Sequence, residues 1–197
     1  KKDLQNPALY TNRELSWLLF NKRVLSEARD KQLLLFERLK FLSITASNLD
    51  EFFMVRIGSL VDMIHAEYTK KDIAGMSAKE QLDALMEETH KFAALQYSTY
   101  NRMLLPQLRA NGLNFVEHHE QLTERQAQYV DEYFEENVYP VLTPMAVDSS
   151  RPFPLIRNKT LNIGALVAKK GEKDTEIEFA TVQVPSVLPR VVRIPAA

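Results

Sequence analysis

Proline placement constrains this chain more than any other feature. Seven of its nine prolines lie at or after residue 140, and the first hundred residues hold only Pro7. A proline inside a helix removes an N–H and clashes with the carbonyl four residues back. The N-terminal half is therefore free to build long helices, and the C-terminal part is not. The division predicts two units: an α-helical bundle over residues 1–111, and an incomplete α+β domain over residues 112–197. Charge follows the same division mildly, with 16 basic and 14 acidic groups in the first part and 9 and 12 in the second. At 197 residues, 45% hydrophobic and 26% charged, the composition is that of a globular protein rather than a disordered chain. A net charge of −1 disfavours a protein that coats nucleic acid, which needs a basic surface. The absence of cysteine excludes disulfides, thiolate metal sites and cysteine nucleophiles, and fits a reducing compartment. No apolar run reaches the roughly 18 residues of a membrane span. The first residues lack the apolar core of a signal peptide. The expected location is cytoplasmic, with room for peripheral membrane association.

In the first unit, Asn12 is positioned to cap a helix running toward Asp30, with Leu15, Leu18, Val24, Leu25 and Ala28 near helical spacing. A second helix is expected from Leu33 to about Thr45. A third is expected to start at the Ser47-Asn48 step and to run through Phe52, Val55, Leu60, Met63 and Ile64 toward Tyr68. The fourth begins at the capping box Ser77-Ala78-Lys79-Glu80, in which hydroxyl and carboxylate each serve an orphan N–H. Pro106 should kink that helix or end it early, and Gly112 is suited to a left-handed position just past its end. Four helices with short connections predict a bundle.

The second unit is mixed. Thr123-Glu124-Arg125-Gln126 is another capping box, opening a helix to about Val138. The segment Tyr139-Pro140-Val141-Leu142-Thr143-Pro144 and the loop Ser149–Pro154 are punctuated by proline. Leu161, Ile163, Ala165 and Val167 alternate as a strand does. Lys169–Asp174 is expected to turn, and Glu176–Phe179 to begin a return strand. One hairpin cannot satisfy its own edges, and no further strand is expected before Ala197. The second domain therefore reads as cut short, with an exposed edge inviting self-association.

The inventory for catalysis is thin. Five scattered glycines build no phosphate loop, and His65, His90, His118 and His119 fall in no metal-binding spacing. All four histidines read as surface residues. The densest segment is Phe41-Leu42-Ser43-Ile44-Thr45-Ala46-Ser47-Asn48-Leu49-Asp50-Glu51-Phe52-Phe53. Ser47 or Asn48 could cap a helix there, with Asp50 and Glu51 favouring the positive end of its dipole. Equally, the Asn48 amide offers a donor and an acceptor suited to a nucleotide's base, sugar or phosphate, with Phe41 as a flat apolar surface for a purine. Trp17 sits among apolar residues and reads as core.

The stretch Arg13-Glu14-Leu15-Ser16-Trp17-Leu18-Leu19-Phe20-Asn21-Lys22-Arg23-Val24-Leu25 resembles the N-terminal signature of the long, ATP-using polyphosphate kinases. Glu37-Arg38-Leu39-Lys40-Phe41-Leu42 and Ser47-Asn48-Leu49-Asp50-Glu51-Phe52-Phe53-Met54-Val55-Arg56 resemble it too. Pro140–Asp148 and Arg151-Pro152-Phe153-Pro154 look like the start of that family's second domain. The similarity is collinear over nearly the whole chain.

The resemblance implies a four-domain protein: a helical N-terminal domain, a mixed head domain and two phospholipase D-like domains. It implies reversible transfer of the ATP γ-phosphate to polyphosphate through a phosphohistidine, with Mg2+, in a homo-oligomer joined through head domains. The histidine and the metal ligands would lie in the C-terminal domains, so no catalytic or metal-binding residue is expected here. Asn48 matches the family's ATP-contacting asparagine, and Phe41 a position near the adenine. A non-catalytic helical assembly module is the alternative from a different class.

Overall fold

The architecture is taken from a computed structural model that describes residues 4–147, 153–168 and 177–195. The chain divides into two compact units, Lys1–Phe115 and Val116–Ala197.

The first unit is helical. Helix α1 spans Arg13–Arg29, α2 Leu35–Phe52, α3 Gly58–His65, α4 Ala78–Ser98 and α5 Leu105–Ala110. Side-chain pairs set their directions. Asn21 meets Thr45 and Asn48, while Arg38 reaches back to Ala28, so α1 and α2 form an antiparallel hairpin. Lys22 meets Glu88 and Arg29 meets Thr99, so α1 and α4 run in the same direction. Two apolar clusters fill the interior. Leu18, Phe52, Ile57, Leu60, Ala78 and Leu85 form one, and Leu25, Ala28, Leu42, Phe92 and Leu104 the other.

Local rules explain most of the helix ends. The Asn12 Oδ1 accepts from Leu15 N at 2.9 Å, capping α1, and its Nδ2 donates to Asp72 Oδ2 at 2.8 Å and Gln81 Oε1 at 2.9 Å. One buried carboxamide thus ties the starts of α1 and α4 to the loop between α3 and α4. The Ser77–Glu80 capping box opens α4 as expected. Downstream, the helix widens into a π turn over Thr99–Leu104 before α5. Pro106 has no N–H for the carbonyl four residues back, and the wider turn absorbs that loss without breaking the rod. Gly112 then adopts φ +83°, the left-handed geometry expected of it.

The expected boundary at Ser47-Asn48 is not there. Helix α2 runs unbroken from Leu35 to Phe52, and the interruption falls at a π turn over Phe53–Ile57 leading into α3. Small polar residues end a helix only when their side chains compete for its backbone. Here the Thr45 Oγ1 donates to the Leu42 carbonyl within the helix at 2.7 Å, and the Asn48 Nδ2 is engaged by α1. Neither Ser47 nor Asn48 caps, and Asp50 and Glu51 lie near the end of α2 rather than in a first turn.

The second unit holds α6 (Glu124–Tyr133), opened by the Thr123 capping box and continued by a π turn to Val138 and a short 3-10 turn at Tyr139–Val141. Its sheet corrects the two-strand expectation. Strands β1 (Pro144–Val147), β2 (Asn162–Val167) and β3 (Glu178–Gln183) form an antiparallel sheet in the order β1-β3-β2. The return strand is central, and the proline-rich segment supplies the third strand. Pro144 is the first residue of an edge strand, where its missing N–H breaks no ladder. Ala180 of β3 faces Ala146 on one side and Ala165 on the other. A Cβ on Gly164 would lie 3.0 Å from the Phe179 ring, which stacks on Phe153 at 5.8 Å. The expected turn at Lys169–Asp174 and most of the Ser149–Pro154 loop lie outside the described residues.

Three substitutions test this account. Ser77→Ala removes an exposed cap and should cost about 0.5–2 kcal/mol. Asn12→Ala also strands Gln81 and Asp72, and should cost about 2–4 kcal/mol in urea unfolding. Hydrogen bonds from Lys22, then from Lys91, hold the Glu88 carboxyl down to about 2. A depressed carboxyl contributes stability that is complete above its ordinary value and lost as pH falls through the folded one. Glu88→Gln should therefore flatten the fall in Tm between about pH 4.5 and 2, followed by circular dichroism.

Candidate functional site

On the surface of the helical unit, a cleft of about 210 Å³ is lined by Trp17 and Phe20 from α1, Asn48, Glu51 and Phe52 from α2, and Val55 and Arg56 from the turn that follows. Helical spacing brings these residues together. Residues 48, 51, 52, 55 and 56 recur at intervals of three and four, along one face. Trp17 and Phe20 are likewise three apart on α1. The unbroken passage from α2 into its π turn keeps that face continuous past Phe52.

Trp17 is half-buried and stacks on Phe52 with ring centroids 4.5 Å apart and planes 12° from parallel. Such a pair contributes about 0.5–1.5 kcal/mol beyond area burial. Trp17 thus packs against the core, as expected, and also forms one wall of the cleft. Phe20 is exposed, with the Arg23 guanidinium 5.9 Å from its ring centre. Arg56 and Glu51, both exposed, give the cleft one positive and one negative group.

Asn48 is half-buried, and its Nδ2 donates to the Asn21 Oδ1 at 3.1 Å. Asn21 is fully buried and donates through Nδ2 to the Thr45 carbonyl at 3.1 Å. The Gln96 Nε2 donates to the Thr45 Oγ1 at 2.9 Å, linking α4 to the same seam. Phe41 lies seven residues before Asn48 on the same face of α2, about 10 Å away along the axis. It is half-buried against the cluster of Leu25, Ala28, Leu42, Phe92 and Leu104, and does not line the cleft. The aromatic surface beside Asn48 comes from Trp17, Phe20 and Phe52 instead.

Sequence reading missed Asn21 and Arg56 as residues of interest. Asn21 carried a signal: it is a carboxamide on the stripe of Leu18, Leu25 and Ala28, where a polar residue must find partners inside. The histidines stay at the surface. His65 and His118 are exposed, His90 contacts the Met86 carbonyl of its own helix, and His119 lies 3.3 Å from Asp131. Among the described residues, no group of three or more His, Asp or Glu side chains is gathered to hold a metal, and no helix is long and apolar enough to cross a membrane.

A capping Asn48 would accept aspartate with the melting temperature preserved; the place of Asn48 inside α2 reverses that expectation. Because Asn48 is not a cap, aspartate is no neutral replacement: its carboxylate would face the Asn21 Oδ1, acceptor against acceptor. Asn48→Asp should destabilise the fold by about 1–3 kcal/mol relative to the unsubstituted chain and lower the Tm further than Asn48→Ala does. Equal Tm values for Asn48→Asp and the unsubstituted chain in a thermal melt would contradict the seam.

Comparison with known proteins places this architecture. A model of the polyphosphate kinase N-terminal domain matches residues 10–116, and a model of the polyphosphate kinase middle domain matches residues 125–197. A polyphosphate kinase of Lactiplantibacillus plantarum is 53% identical over 95% of this chain and 26% of its own length. One from Halalkalibacterium halodurans is 47% identical over 98% of this chain and 27% of its own length. The crystal structure of polyphosphate kinase from Porphyromonas gingivalis superposes with a TM-score of 0.73 at 31% identity, over 94% of this chain and 27% of that one. The chain spans about a quarter of the length of these relatives. With both of its units matched in order, this chain belongs to the polyphosphate kinase family, as its N-terminal and middle-domain region.

Proposed function

We propose that this region forms one wall of the ATP site in a polyphosphate kinase that moves the γ-phosphate of ATP reversibly onto polyphosphate. The observation that carries the reading is the cleft in which the Asn48 amide stands beside Trp17, Phe20 and Arg56. An amide supplies a directional hydrogen bond, aromatic side chains a flat apolar surface for a base, and a guanidinium a partner for phosphate oxygens. Phe41, two turns along α2, would act on the base only indirectly, through the packing of that helix.

The chemical step belongs elsewhere in the whole protein. The family resemblance assigns it to a phosphohistidine in domains beyond the two matched here, and His65, His90, His118 and His119 lie on the surface without a site around them. Magnesium, implied by the same resemblance, would find one carboxylate, Glu51, among the residues lining the cleft. Mg2+ is usually held by one or two carboxylates together with substrate phosphates and water, so exposed Glu51 by itself does not make this cleft the site of magnesium. Its ligands are therefore assigned to the other domains.

A homo-oligomer joined through the head domain is the partner we propose. Ile163, Leu166 and Val167 are exposed apolar residues on the edge strand β2, which a second copy or further chain of the same protein would cover. Cytoplasmic location completes the proposal.

In a full-length polyphosphate kinase carrying this sequence, Asn48→Ala should raise the KM for ATP by about threefold to tenfold, the equivalent of one hydrogen bond. The kcat should change less. An unchanged KM would remove Asn48 from the nucleotide site. The 197-residue chain alone should transfer no phosphate from ATP to polyphosphate. Acid-labile phosphate appearing on His65 or His118 after incubation with ATP would contradict that assignment.

A further inference from the structure

The orientation of the Asn48 amide follows from a sequence of forced hydrogen-bond polarities. It starts at the Thr45 main-chain carbonyl, which can only accept. Asn21 is fully buried, with no water to turn toward, so the end of its side chain facing that carbonyl must be Nδ2, at 3.1 Å. This leaves the Asn21 Oδ1 facing Asn48, and an oxygen there can be met only by an N–H. The Asn48 Nδ2 meets it, also at 3.1 Å. One end of the Asn48 amide is thereby spent on α1. Its Oδ1 has no hydrogen-bond partner among the described residues, and Asn48 lines the cleft. A carboxamide free to flip would exchange Oδ1 and Nδ2 indifferently; this one is held with its Oδ1 unspent, beside the one N–H of Nδ2 that Asn21 does not take. The Thr45 carbonyl is held in place by the backbone of α2, and Gln96 donates to the Thr45 hydroxyl from α4.

We infer that Asn21 is a positioning residue that commits Asn48 to present a hydrogen-bond acceptor in the cleft, so that the site selects a nucleotide by an N–H or O–H donor on its nucleoside. The inference rests on the reading of the cleft as a nucleotide site. Two nucleoside groups carry the required chemistry: the exocyclic amine of adenine and the hydroxyls of the ribose. Removing Asn21 frees the Asn48 amide to turn its N–H inward, which erodes selectivity for that donor. A purely structural Asn21 would change stability and leave selectivity alone.

The test uses a full-length polyphosphate kinase carrying this sequence, with four substrates: ATP, purine riboside triphosphate (which lacks the amine), 2′-deoxy-ATP and 3′-deoxy-ATP (which each lack one hydroxyl). Each selectivity is a ratio of two kcat/KM values on one preparation, so partial unfolding of a variant cancels. In the unsubstituted enzyme, one analogue should be disfavoured, and it identifies the donor. In Asn21→Leu that penalty should shrink at least threefold, chiefly through KM. Asn21→Asp is the conservative control. Assayed at about pH 6, its buried carboxyl keeps the proton, donates to the Thr45 carbonyl, accepts from Asn48, and should retain the penalty. An undiminished penalty in Asn21→Leu overturns the inference, as does an equal loss in both variants, which would assign the effect to packing. The absence of any penalty in the unsubstituted enzyme overturns it too. If Asn48→Ala raises the KM for ATP while any of these occurs, the nucleotide site stands and only the role of Asn21 fails. If Asn48→Ala leaves that KM unchanged, the nucleotide reading fails and takes the inference with it.

Discussion

A carboxamide with no access to water must spend both of its ends on protein, and Asn21 does so at the place where α1 crosses α2. The rest of the helical unit depends on that contact. An apolar residue at position 21 would allow the two helices to slide or rotate against one another at small cost, because apolar contacts are not directional. A donor fixed on one carbonyl and an acceptor fixed on one amide set the register of the pair. The cleft is a consequence of that register: Trp17 lies one turn before Asn21 on α1 and Phe20 directly before it, and Asn48, Glu51 and Phe52 follow from Thr45 on α2.

The opposite end of the same hairpin is held by a buried cation. Arg38 donates through Nε to the Ala28 carbonyl at 3.1 Å and through Nη1 to Gln107 Oε1 at 3.0 Å. Ala28 belongs to the last turn of α1, whose carbonyls lack partners within the helix and carry the negative end of its dipole. A guanidinium is well suited to that position and also reaches α5, so one side chain joins three helices. Its Nη2 has no partner among the described residues. The two polar anchors, Asn21 and Arg38, bracket the apolar cluster of Leu25, Ala28 and Leu42. The apolar residues supply most of the driving force, and the polar ones choose the register in which it acts.

The two units differ in how much of their form was legible in advance. Capping boxes at Ser77 and Thr123, the cap at Asn12 and the left-handed Gly112 are local devices, in which a few neighbouring residues satisfy one another, and they stand where the sequence places them. The boundary expected at Ser47-Asn48 was wrong for a nonlocal reason. A serine or asparagine has the same sequence signature whether its side chain caps its own backbone or turns to a neighbouring helix. Strand β1 was missed on similar grounds. Proline argues against a strand until it is known that the strand lies at an edge, and that depends on β3 pairing with both neighbours.

Sequence by itself determined the proline-partitioned architecture, the helix starts, the family signature and Asn48 as the residue to examine. These are properties of composition, spacing and short-range hydrogen bonding, which act within a few residues along the chain. Only the tertiary structure decided that Asn48 lies inside a helix and not at its start, that Trp17, Phe20 and Arg56 share its cleft while Phe41 packs against the core, and that Asn21 fixes which end of the Asn48 amide is spent. The physical reason is the range of the interactions. A carboxamide can donate or accept equally well, and the choice is made by a carbonyl 24 residues away, brought within 3.1 Å by the packing of two helices.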